Sequence, residues 1–61
     1  MTNTIQTYKG IQYTIQRNQF GQLRWGVNFP WQGWVWQPWN YNTTEREAER
    51  EAKEYIDVHI R

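Results

Sequence analysis

His59 stands two residues after Asp57, and Glu47, Glu51 and Glu54 recur at helical spacing; these are the residues of the 61-residue chain whose types could do acid–base or metal chemistry. Nucleophilic catalysis lacks its parts, because the chain has no Cys and no Ser for His59 to activate. Asp57 and His59 could share a metal only from a strand, since residues two apart on a helix diverge, and two ligands are fewer than a closed zinc site needs. The three glutamates should line an exposed helical side, where nothing raises a carboxyl pKa towards neutrality. Gly10, Gly21, Gly26 and Gly33 are scattered and form no phosphate-cradling loop. The expectation is therefore no catalytic residue, no metal and no cofactor: a chain that is not an enzyme.

Aromatic chemistry is the richer signal. Ten of the eleven aromatic residues lie between Tyr8 and Tyr41, and Trp25, Trp31, Trp34, Trp36 and Trp39 fall within fifteen positions. All six acids follow residue 44, whereas the first 44 residues hold Lys9, Arg17 and Arg24 and no acid. Such asymmetry can mark a polyanion site, though three cations make a thin one. A chain this short buries only about 60% of the surface exposed on unfolding, so one small domain over 1–61 is expected and a deep cleft is not. Apolar runs of two or three residues exclude a membrane span and a secretory h-region, and a soluble, cytoplasmic protein is expected.

These residues must be positioned by strands first. Ile11, Tyr13 and Ile15 alternate with Gln12, Thr14 and Gln16, and Leu23, Trp25, Val27 and Phe29 alternate with Gln22, Arg24, Gly26 and Asn28. Both have the period of a half-buried strand. A three-residue loop of Gln19, Phe20 and a left-handed Gly21 sets Asn18 opposite Gln22. Ile15 then faces Trp25, Tyr13 faces Val27 and Ile11 faces Phe29, so every apolar residue shares one face; loops of two or four residues would mix the faces. After Pro30-Trp31-Gln32-Gly33, a four-residue loop predicts Phe29 opposite Trp34 and Val27 opposite Trp36, which puts both indoles in the core. Pro38 cannot donate to a ladder, so this third strand belongs at an edge. Residues 1–8 read as a frayed arm or a short extra strand, and the sequence leaves both open.

From Thr44 the period changes. Thr44 with Glu47 forms a capping box, Glu45 suits the positive end of a helix dipole, and Ala48, Ala52, Tyr55, Ile56 and Ile60 make a narrow apolar stripe. Small residues let the helix approach a sheet crowded with indoles. Residues 56–60 also alternate with period 2, so the end could be helical turns or another strand, and helix is the favoured reading. The fold class expected is α+β, a three-stranded antiparallel meander of order 1-2-3 with one C-terminal helix on its apolar face.

Where Val27-Asn28-Phe29-Pro30-Trp31-Gln32-Gly33 leads through a strand into Thr43-Thr44-Glu45-Arg46-Glu47-Ala48, the chain resembles the HicB-type antitoxin module: strand, turn, strand, a proline-glycine bend, strand, then a Thr-x-Glu-Glu-Ala helix start. The likeness spans about Ile11 to Ile60 and lies in order and spacing. The bend here is one residue shorter and lacks a second proline, and no DNA-binding segment is expected within residues 1–61. With Tyr8-Lys9-Gly10 at its start, the chain is also similar to short bacterial and phage domains. What the resemblance implies is this fold and an inhibited protein partner.

Binding is thus expected on the open face of the sheet, with Gln12, Thr14, Gln16, Arg24, Gly26, Asn28, Val35, Gln37 and Trp39 outward and Phe20 and Trp31 at the turn tips. A protein partner, or a second copy in a homo-oligomer, would use Trp31 and Trp39 as anchors with Arg24, Gln37 and Gln16 around them. The alternative is single-stranded RNA or DNA, with bases stacked on Trp39 and Phe20 while Lys9, Arg17 and Arg24 follow phosphates. A sugar on the same tryptophans ranks third.

Overall fold

The computed structural model describes residues 4–60. Four strands, β1 (Ile5–Tyr8), β2 (Ile11–Arg17), β3 (Leu23–Phe29) and β4 (Gly33–Trp36), form one antiparallel sheet in the order β1-β2-β3-β4, followed by the helix α1 (Glu45–His59). The sheet therefore has one strand more than the expected three. Residues 5–8 of the expected 1–8 arm are that strand, Thr4 precedes it, and residues 1–3 lie outside the described residues. β1 joins β2 through a two-residue turn in which Lys9 (φ 51°) and Gly10 (φ 79°) are both left-handed, the geometry that matches strand twist and that the sequence reading did not extract from Lys-Gly.

The β2–β3 hairpin has the expected register: Ile15 pairs with Trp25 and Tyr13 with Val27. Gly21 has φ 82°, its N–H donates to Asn18 O (3.2 Å), and Asn18 N–H donates to Gln22 O (3.0 Å). The Asn18 side chain completes the turn by accepting from Phe20 and Gln22 N–H. β4 does lie at an edge, but its register differs from the expected one. Phe29 pairs with Gly33, Asn28 with Trp34, Val27 with Val35 and Gly26 with Trp36. A one-residue slip exchanges the faces of a strand, so Val35 points to the core and both indoles point away from it. Beneath the sheet Tyr13, Val27 and Phe29 are already fully covered by Ala48, Ala52 and Ile56, leaving no room for two more indoles.

Helix α1 starts where the capping pattern places it: the Thr44 side chain accepts from Glu47 N–H at 3.2 Å, with Glu45 and Glu47 in the first turn. It runs through His59, so residues 56–59 are helical and not a strand. Tyr8, Ile15, Val35, Tyr55 and Ile60 close the margins of the core. The buried polar ends are matched: Trp25 Nε1–H donates to Glu51 (3.2 Å), and the Tyr13 hydroxyl donates to Glu49 (3.0 Å). Glu51 is thus half-buried and hydrogen-bonded to the core indole, a correction to its expected place on a wholly solvated glutamate row.

Candidate functional site

The helix covers one face of the sheet, and the other carries the site. Gly26, in the interior of β3, faces outward between Thr14 and Trp36. A Cβ there would collide with Cε3 and Cζ3 of the Trp36 ring and lie 2.8 Å from Cδ2. The missing side chain is therefore the slot that the six-membered ring of Trp36 occupies over the strand backbone. Trp34, two residues away on the same face, stacks on Trp36 with centroids 5.3 Å apart and planes 16° from parallel.

Beyond β4 the chain makes a bulge. Gln37 N–H donates to Trp25 O, and Asn40 exchanges both backbone bonds with Leu23, so Pro38 and Trp39 together oppose Arg24. Pro38 occupies a position that has no donor to offer, and the bulge turns the Trp39 ring onto Arg24. The Arg24 Cζ lies 4.1 Å from the Trp36 centroid and 4.4 Å from the Trp39 centroid. Arg24 therefore contacts both rings. The Trp36 ring thus contacts both Trp34 and Arg24. The result is a ladder, Trp34–Trp36–Arg24–Trp39, standing on the sheet with its edges towards solvent. Cation–π contacts of this kind contribute about 0.5–1 kcal/mol each when exposed and more when shielded from water.

Amides flank the ladder. Gln16 Oε1 accepts from Arg24 Nε (2.9 Å), and Gln12 Oε1 accepts from Asn28 Nδ2 (3.0 Å). Both glutamine oxygens thereby accept a hydrogen bond, and their NH₂ groups, Asn28 Oδ1, the three indole N–H groups and the Arg24 Nη groups make up the remaining polar edge of this face.

The residues expected at a binding site do not all meet here. Arg24, Gln16 and Trp39 are on the ladder face. Trp31 is not: 63% exposed, it stacks on the inner-face Phe29 (4.8 Å, 21°), so Trp31 and Trp39 lie on opposite sides of the sheet. Gln37 borders a small cleft with Trp25, Ala48 and Glu51 on the helix side, and Val35 packs on the core. Phe20, 65% exposed, is at the β2–β3 turn. Lys9 pairs with Asp57 (2.7 Å) and Arg17 with Glu45 (3.0 Å), both on α1, so of the three N-terminal cations Arg24 alone belongs to the open face. Trp34 and Trp36, expected in the core, face outward instead. The signal available was a glycine in mid-strand across from a tryptophan.

On the helix side, Glu49 is held below the usual carboxylate range by the Tyr13 hydroxyl and then by Lys53, and the Tyr13 phenol is pushed up, first by desolvation and then by Glu49. Lys9 is raised by its hydrogen bond and ion pair with Asp57. These shifts belong to helix–sheet contacts and not to the open face. Among the described residues no group of three or more His, Cys, Asp or Glu could hold a metal, and no helix is long and apolar enough to cross a membrane. Comparison with protein-family models, with curated proteins and with solved structures finds no match to this chain.

Proposed function

We propose that the protein is a non-enzymatic binding module that engages a protein partner through the ladder face of its sheet. The supporting observation is the ladder itself: three indoles and one arginine, the residue types that dominate interface energetics, gathered on a face that no part of the described chain covers. Trp34 (37% exposed) and Trp39 (36% exposed) are its accessible ends. The anchor pair is accordingly Trp34 and Trp39, in place of Trp31 and Trp39. The element order that resembles HicB-type modules supports the same class of partner, with a second copy of the chain as its homo-oligomeric version.

Single-stranded nucleic acid has less support. Phosphate tracking needs several free cations on one face, and Lys9 and Arg17 are paired with α1 carboxylates elsewhere.

Affinity capture from source cells tests the proposal, with sedimentation equilibrium for self-association. One partner species, or one dimer, retained by the wild type and by Trp31→Ala but lost in Trp34→Ala, is the expected result. Retention unchanged in Trp34→Ala, with the variant still cooperatively folded, refutes it.

A further inference from the structure

The ladder determines how Arg24 can be approached. Its Cζ sits 4.1 Å from the Trp36 centroid and 4.4 Å from the Trp39 centroid, and its Nε–H is committed to Gln16. No acceptor among the described residues meets Nη1 or Nη2. What remains is the in-plane fork, the geometry that matches a carboxylate through two parallel N–H···O bonds. Holding the guanidinium from three directions removes the side-chain freedom that an ordinary surface arginine must give up to bind.

The surroundings favour the same ligand. The oxygens of Gln12 and Gln16 already accept from Asn28 and Arg24, so their NH₂ groups remain as donors, and indole N–H groups only donate. All the acids of the chain follow residue 44, so no carboxylate of the sheet competes for the fork. A face that holds one cation with its in-plane fork open calls for a ligand that presents a carboxylate to it.

We propose that Arg24 is a preorganised carboxylate-recognition site, and that the partner segment it takes is an acidic peptide presenting a Glu or Asp side chain end-on to the Nη1/Nη2 fork. A peptide fits better than a phosphodiester chain: a polyanion gains affinity by neutralising several phosphates with several cations, and this face has one. The inference rests on the ladder face being the partner surface and adds the chemistry of what binds there.

The test is a low-salt NMR titration of isotope-labelled protein with a capped tetraglutamate peptide, following the Arg24 Nε–H and the Trp36 and Trp39 indole N–H signals. Capped tetraglutamine and a single-stranded oligothymidylate run in parallel. Saturable shifts at Arg24 with tetraglutamate, absent with tetraglutamine, are expected. Arg24→Lys keeps the charge but loses the fork, the bond to Gln16 and the planar stack, and should weaken binding by about tenfold or more at a temperature where cooperative unfolding shows the variant still folded. Trp31→Ala should bind as the wild type does. No shift with tetraglutamate, an equal response to tetraglutamine, or undiminished binding in Arg24→Lys overturns the proposal. Tighter binding of the oligothymidylate overturns it in favour of nucleic acid. Loss of partner capture in Trp34→Ala together with a silent tetraglutamate titration removes only the carboxylate assignment; a positive titration with capture intact in Trp34→Ala leaves the site and removes the anchor.

Discussion

Gly26→Ala is the substitution that most directly tests the ladder. Nothing in the Gly26 backbone demands glycine, because its φ is not in the left-handed region. At such a position, replacing Gly by Ala ordinarily stabilises by about 0.4–1 kcal/mol through the unfolded chain. Here the added methyl would run into Cε3 and Cζ3 of Trp36, with Cδ2 2.8 Å away, and both the strand backbone and the stacked neighbours prevent the ring from yielding. Overpacking costs about 1–3 kcal/mol. Lifting the ring also loosens the Arg24 contact, worth about 0.5–1 kcal/mol. Set against the chain-entropy gain, the balance is a loss of about 2 kcal/mol. For a domain of this size that lowers Tm by roughly 8–16 °C. Thermal unfolding followed by circular dichroism measures it, and the Trp36→Ala background supplies the control: with the ring gone, Gly26→Ala should be neutral or stabilising. A Gly26→Ala variant that melts at or above the wild-type temperature would refute the outward placement of Trp36 and, with it, the register of β4.

Other consequences concern the helix. Thr44→Ala removes the side-chain acceptor of Glu47 N–H and should cost about 1 kcal/mol in denaturant unfolding, whereas Thr44→Asn should cost little. Glu49 has a lowered folded-state pKa, so its contribution is present above the ordinary carboxylate range and is lost as pH falls through the lowered value; Glu49→Gln should flatten that acid limb of the stability curve. Tyr13 and Lys9 have raised values, so their contributions hold below the ordinary Tyr and Lys range and are lost as pH rises through the raised ones, and Tyr13→Phe should reduce the alkaline limb.

The indoles divide sharply by side. Trp25 is buried and spends its N–H on Glu51, while Trp34, Trp36 and Trp39 stand opposite it with a guanidinium between two of them. A chain with few large aliphatic residues thus uses aromatic packing on both faces of a single sheet: one set builds the core, and the other builds a rigid ridge. The cations divide in the same way, with Lys9 and Arg17 tying the strands to α1 and Arg24 on the ridge.

Much of this was determined by the sequence alone. Strict alternation in β2 and β3 leaves one register in which Ile11, Tyr13 and Ile15 share a face with Trp25, Val27 and Phe29, because a one-residue slip would bury Gln and Arg. Gly21 then closes the only loop compatible with it. Thr44 with Glu47 and the small-residue stripe Ala48 and Ala52 likewise determine where α1 begins and which face it buries. β4 carries no such constraint. Trp34-Val35-Trp36 is apolar on both faces, so either register buries hydrophobic surface and local pattern cannot choose between them. The choice depends on two facts distant in sequence: the space beneath the sheet is already filled by Phe29, Tyr13 and the helix, and Gly26 on the neighbouring strand leaves a hollow on the opposite side shaped for one indole. Tertiary packing decided that register because side-chain volume, unlike hydrophobic periodicity, is a property of the whole assembled core.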